Sequence, residues 1–516
     1  MDEASSEDPD SSPDPSPETE DAKSGFDWKR WLPWIVSAVI FTVFLPLFWH
    51  CAQNRAEKFN SNLVETSRID GKIVPIIFHY DQHVYMNTGR LMKRSGYTYV
   101  VPRHRTPGYP FLLSLLYDAD HEYQFTDGDS RRVSDHFFKR AKLFNIIVSI
   151  VCIIVLFLFV TRYVSVWFAL LFTWSIGWFH FIFRAPFVQP EVLFTTLGFI
   201  GFVLMARQMI SPTWTRGVVA GVLMAAAFII KAAILPLVAL FCACFALKFL
   251  WELWGDFRAK KLKWKPWFLD VAKGIVVPVF FFALLSPYMI HTWKKHGNPI
   301  WSVHSQHFMW LEDREEKHKW RLLLATIEEE GKAPEDAPSK ENYFKKHTYK
   351  EFIERSLFGA QKSIERVARE YRNAYRFLTR RVVRTANVVI VLAFLAAIPA
   401  IRRKFFTEDS PRLFDYIKQY WFLIPYFGLF CLGYAILYGA YQTIGAGPRL
   451  FLSMYPAVLF SIWLLIDRLP PTLVLPIKDG IKIPGRPVFH GIVALCLLLG
   501  LVHNFSHELY RVIGAG

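Results

Sequence analysis

Apolar runs long enough to cross a bilayer recur along this chain, and no other feature constrains its fold as strongly. The first covers 31–51, and further runs follow at roughly 141–160, 164–183, 188–206, 214–232, 233–251, 268–291, 385–401, 419–439, 448–466 and 487–505. A hydrocarbon core about 30 Å thick takes a helix of about 20 apolar residues, and a backbone inside it must satisfy its own hydrogen bonds. The pattern predicts an all-α integral membrane protein of about 11 transmembrane helices with juxtamembrane amphipathic helices outside. The runs at 214–232 and 233–251 are nearly continuous, so the count is soft by one or two. With 53% hydrophobic residues in 516 and a mean hydropathy of +0.22, a soluble fold is excluded.

The formal charge of +16 would point to nucleic acid in a soluble protein. Here Arg162, the turn from Arg207 to Arg216, and Arg258, Lys260, Lys261, Lys263 and Lys265 all fall on one side of the runs. By the positive-inside rule that side is cytoplasmic, and the N-terminus with it; the partner of these charges is the anionic bilayer surface, and no nucleic acid is implied. Residues 1–27 are acidic and rich in Ser and Pro, which predicts a disordered cytoplasmic tail, and nothing in them reads as a cleaved signal peptide. Residues 28–516 then form one polytopic domain with long external loops at 52–140 and 292–384 and an external C-terminus.

Within those loops, YPFLLSLLY (109–117) is too short to cross and should lie at the interface. In the stretch 341–381, Arg366, Arg369, Arg372, Arg376 and Arg380 recur at helical steps, giving one basic face for head groups or an anionic substrate. The six cysteines sit in or beside apolar runs, so neither a disulfide framework nor a metal site at Cys242 and Cys244 is expected.

With this topology the unusual polar residues gather on the external side: Asp81, Arg103, Arg105, Tyr109, Arg184, Gln189, Glu191, Lys231, Asn298 and Arg449. Ionisable groups near a bilayer are costly unless paired or used, so the gathering marks a candidate site. Lys231, in FIIKAAILP, ends an apolar run with no acid beside it in sequence, a position suited either to a phosphate at head-group depth or to snorkelling. Glu191 follows Gln189-Pro190 and suits the first turn of a helix. Asp81 lies among Tyr80, Gln82, His83 and Tyr85, where no capping pattern accounts for it. No cofactor is called for. A divalent metal fits only if His79, Asp81 and His83 share one face of an extended strand. Phosphate-binding Gly-rich loops, HExxH and GxSxG are all missing.

These motifs taken together give a resemblance. The acid Asp81 is followed by RTPGYPFLLSLL (105–116), QPEVLF (189–194), GVLMAAAFIIKAAILP (221–236), SPYMIHTWKKHGNPI (286–300) and GPRLFLSMYP (447–456). In this order the chain resembles the GT-C class of polyprenyl-phosphate-sugar-dependent glycosyltransferases, the membrane family of protein O-mannosyltransferases and the lipid A aminoarabinose transferase. The resemblance implies a membrane enzyme that moves a sugar, with inversion, from a polyprenyl-phosphate carrier to a lipid, glycan or protein acceptor on the non-cytoplasmic side. It favours a bacterial cytoplasmic (inner) membrane over the endoplasmic reticulum.

By the same resemblance Asp81 would be the base or would orient the acceptor. Glu191 would line the cavity, and Lys231 with Arg105, Arg184 or Arg449 would neutralise the leaving phosphate. Four features depart from the family pattern, one of them the absence of the Arg-Asn pair that commonly follows the position of Tyr288. Gln82 stands where relatives often carry a second acid, Tyr288 stands where they have Trp, and the loop 292–384 matches no family element. A lipid or glycan transporter or flippase, and a ligase or polymerase using lipid-diphosphate glycans, are the alternative functions.

Overall fold

Helices dominate because an apolar surround leaves each segment to pair its own backbone. A computed structural model describes residues 28–69, 72–77, 80–99, 105–121, 135–260, 264–313, 315–316, 319–320, 334–370, 420–441, 449–466, 473–475, 481–483 and 485–513. The expected acidic tail, the apolar run 385–401, His79, Arg103 and the arginines beyond 370 lie outside these residues.

The chain opens with α1 (Trp28–Leu63) and a hairpin of β1 (Val64–Ile69) and β2 (Lys72–Ile77), in which Val64 faces Ile77. Next come α2 (Tyr80–Arg94) and α3 (Gly108–Ser114), then the long helices α4 (Asp135–Val160), α5 (Val166–Phe179) and α6 (Glu191–Ile210). They are followed by α7 (Trp214–Ile230), α8 (Leu235–Arg258) and α9 (Trp264–His296). Beyond α9 lie α10 (Val303–Gln306), α11 (Lys340–Phe344) and α12 (Tyr349–Glu370). The last part holds α13 (Leu423–Ala440), α14 (Arg449–Leu452), α15 (Tyr455–Ile466), a hairpin of β3 (Leu473–Leu475) and β4 (Ile481–Ile483), and α16 (Gly485–Ile513). The two hairpins amend the all-α expectation.

Among the described residues, eight helices are long and apolar enough to cross a membrane, and two shorter apolar ones, Trp214–Ile230 and Tyr455–Leu464, stand beside them. The chain is a multi-pass helical membrane protein. Its helices turn apolar residues outward as well as inward: Val39, Val43, Val151, Leu158, Leu250, Ile275 and Val279 are exposed, which suits contact with lipid.

Aromatic contacts fix the directions. Phe41 packs on Trp174 and Phe48 on Trp178, so α1 and α5 run together. Phe168 stacks on Trp463 and Trp463 stacks on His490, which sets the end of α15 beside the starts of α5 and α16. Each such pair adds about 0.5–1.5 kcal/mol beyond area burial. At the other end Arg55 makes a two-pronged ion pair with Glu508, whose side chain is only 4% exposed. Thus α1, α5 and α16 are parallel, and all three finish at one end of the bundle.

After α9 the chain folds into a cap at this same end. Val303, Phe308, Leu311, Trp320 and Ala337 make a small core of their own. Trp310 packs on Tyr343, Phe344 and Phe352, and Arg355 donates to the carbonyl oxygens of Met309 at 2.8 Å and Leu311 at 3.4 Å. The expected basic helix over 341–381 is therefore interrupted at 345–348, between α11 and α12. Within the cap, α12 lies against α13 so closely that a Cβ on Gly439 would run into the Ser356 carbonyl oxygen.

Candidate functional site

The site is assembled where α1, α5, α7, α9, α13 and α16 end. Asp81 falls in the first turn of α2, where the unpaired N–H groups and the helix dipole favour an acid. This corrects the expectation that no helix start accounts for it. It also removes the proposed metal face, because residues two apart on a helix point about 200° apart, so Asp81 and His83 diverge. Among the described residues no group of three or more His, Cys, Asp or Glu side chains is placed to hold a metal ion.

The turn that follows brings Arg105 back to the acid. One terminal nitrogen of Arg105 donates to Asp81 Oδ1 at 2.6 Å, the other meets His304 Nε2 at 2.6 Å, and the guanidinium carbon stands 5.3 Å from the centre of the Tyr85 ring. Gly108 then packs directly on the end of α7. A Cβ there would come within 2.9 Å of the Ile229 carbonyl oxygen, so the RTPGYP motif keeps its glycine for close approach.

Two residues beyond Ile229 the chain reaches Lys231, whose backbone is extended and stops α7 before the turn Ala232–Ile234. Its Nζ lies 3.5 Å from Glu191 Oε1 and 5.3 Å from the centre of the Phe194 ring. Lys231 has an acid partner after all, brought from forty residues earlier in the chain. Glu191 is in the first turn of α6, as its Gln-Pro-Glu setting suggests, and is 4% exposed.

The remaining sequence candidates divide into framework and site. Tyr109 is buried; its hydroxyl donates to Asn145 Oδ1 at 2.8 Å, and Asn145 Nδ2 donates to the carbonyl oxygens of Phe187 and, at 3.1 Å, Gln189. Burial pushes the Tyr109 phenol up from its ordinary value, and the nearby Glu191 charge adds to the shift, so it stays protonated. Gln82 is fully buried and accepts from the Val188 N–H at 2.6 Å. It ties α2 to the segment leading into Gln189.

Gln189 is itself buried. Arg184 is half-buried, makes no ion pair among the described residues, and lies with Glu191 and Lys231 within electrostatic reach of His180. Asn298 closes a local turn by accepting from the Ile300 N–H at 3.0 Å. Arg449 opens α14, and its side chain is outside the described residues.

Two residues that the sequence reading passed over belong here. His304 comes from the cap, and its motif-free loop gave no signal. His180 is fully buried, with Nε2 3.2 Å from Thr195 Oγ1, in a run that reads simply as a membrane span.

Among the described residues, Asp81 pairs with Arg105 and Glu191 with Lys231, and Arg184 lies with the second pair around His180. An apolar cleft of about 380 Å³ lies on the site end of α9 between Phe282, Ser286, Met289, Ile290, Trp293 and Pro299. A larger opening, about 810 Å³, is at the opposite end, lined by Trp254, Phe257, Arg258, Lys260 and Trp264. It is remote from these acids and suits a bilayer surface, where aromatic and basic residues collect.

Compared with known protein families and with curated proteins, the chain has no match.

Proposed function

We propose that this protein is an inverting membrane glycosyltransferase that takes a sugar from a polyprenyl-phosphate carrier and gives it to a hydroxyl-bearing acceptor. The observation that carries this reading is the meeting of Asp81 with Arg105, and of Glu191 with Lys231, at one end of an apolar bundle.

The chemistry has two needs. As the acceptor oxygen attacks the anomeric carbon, its proton must go to a base, and as the sugar–phosphate bond breaks, the phosphate must leave with the electron pair. Asp81 takes the proton or orients the hydroxyl that loses it. Lys231, Arg184 and Arg105 offset the growing phosphate charge, while Glu191 holds Lys231 in place. The cleft on α9 has the apolar lining a prenyl chain needs, close to head-group depth.

The far end of the bundle carries Arg162, Arg207, Arg216, Arg258 and Lys260, and Arg216 donates to the Ser211 carbonyl oxygen at 2.5 Å. Read by the positive-inside rule, that end is cytoplasmic and the site is external.

The test is label transfer from a panel of radiolabelled polyprenyl-phosphate sugars into membrane extracts, comparing wild type with Asp81→Asn. Transfer that needs Asp81 supports the reading and identifies the sugar. Wild-type protein that consumes no donor, yet moves carrier lipid across the bilayer, is a transporter instead.

A further inference from the structure

Arg105 is held from two sides by residues that reach it from separate parts of the chain. Asp81 Oδ1 takes one terminal nitrogen at 2.6 Å, and His304 Nε2 meets the other at 2.6 Å. A guanidinium offers only protons, so His304 Nε2 must be the unprotonated nitrogen of a neutral imidazole. His304 is fixed in turn by the cap, where its ring lies 5.0 Å from that of Phe308. The Tyr441 hydroxyl, just beyond α13, donates to its carbonyl oxygen at 3.3 Å. One side chain therefore connects the folded external loop to the acid and its partner.

This arrangement has a chemical consequence for Asp81. A carboxylate that accepts a short charge-assisted hydrogen bond is stabilised in its charged form and is a weaker proton acceptor for it. Asp81 cannot be fully available as a base while Arg105 is bound to it. A carrier phosphate linked to its sugar, however, offers a guanidinium the same two free oxygens and single charge as a carboxylate does, and gains a second charge as the sugar leaves.

Resting on the glycosyl-transfer reading, we propose that His304 is a positioning residue that retains Arg105 in the site while its guanidinium changes partner. The carrier phosphate takes the nitrogen held by Asp81, His304 keeps the other, and Asp81 is freed to act on the acceptor hydroxyl. The exchange breaks and forms hydrogen bonds alone. It also imposes an order, because the donor has to arrive before the base is competent.

The test uses the full chain in phosphatidylcholine vesicles, with sugar-free polyprenyl phosphate as the probe. Infrared difference spectra, probe added minus probe absent, read the Asp81 carboxylate stretch without requiring turnover or any variant at Arg105. The expected result is a shifted carboxylate band in wild type that is missing in Asp81→Asn. His304→Ala should bind the probe on the order of tenfold more weakly, the worth of one hydrogen bond to a charged group. His304→Gln, which offers an acceptor oxygen in place of Nε2, should restore binding to within about threefold, whereas a merely structural role would not be rescued in this way.

Probe binding that leaves the Asp81 band unmoved, or equal affinity in wild type and His304→Ala, overturns the exchange and leaves glycosyl transfer standing. Failure of wild type to bind the probe at all overturns both.

Discussion

Lys231 sits where a helix stops, and that position was legible from FIIKAAILP alone. Its partner was not, because the Glu191 contact joins residues forty apart whose pairing depends on how α6 and α7 pack. Removing the cation should cost donor binding: Lys231→Ala is expected to weaken affinity for the phosphorylated donor by about ten- to a hundredfold, measured by equilibrium binding. Unchanged affinity would take Lys231 out of the site. The helix-start position of Asp81 was hidden, since a helix beginning at Tyr80 carries no Ser, Thr or Asn cap signal.

His307 supports a prediction in pH. Burial lowers its pKa from the ordinary 6.5, while its Nδ1 contact with the Pro338 carbonyl oxygen, at 2.7 Å, opposes the shift. As pH falls below about 6.5 the unfolded cap takes up a proton that the folded one resists, so folding is penalised. The protection of amides in segment 303–310, once the pH dependence of intrinsic exchange is divided out, should therefore fall between pH 7.5 and 5.5, and His307→Gln should flatten that response.

At the level of elements, ten of the expected apolar runs coincide with helices, because length and apolarity are local properties of the sequence. The β1–β2 hairpin was missed although the sequence offers Asp70-Gly71 between two runs with β-branched residues, a recognised hairpin signal. The cap was illegible for a different reason. Its small core draws Val303 and Ala337 together across more than thirty residues without any periodic pattern.

Close packing between elements gives two further expectations. Gly439→Leu would force α12 away from α13 and should cost about 1–3 kcal/mol in thermal or denaturant unfolding, with the loss falling on the cap. Arg55→Ala takes the two-pronged ion pair from the buried Glu508 and should cost about 1–3 kcal/mol, whereas Arg55→Met with Glu508→Leu should recover most of that loss.

Across the whole molecule, α1 begins at the far end of the bundle and α16, parallel to it, finishes at the site end. Single cysteines at Lys29 and Arg511, in an otherwise cysteine-free background, should react with a membrane-impermeant maleimide from opposite faces of sealed vesicles. Labelling from one face would contradict the parallel arrangement. The parallel helices also explain why residues as distant as Asp81, Lys231 and His304 share one end, since each follows or precedes a helix that finishes there.

The central claim is that Asp81 serves the acceptor while the cations at this end hold the phosphate. It is tested most directly by measuring donor affinity and single-turnover rate on the same preparations of wild type and Asp81→Asn. The account predicts donor affinity no weaker than that of wild type, because Asp81 no longer competes for Arg105, and a turnover rate lower by about 10²–10⁴-fold, the usual worth of a positioned proton acceptor. A variant that turns over at the wild-type rate would contradict it.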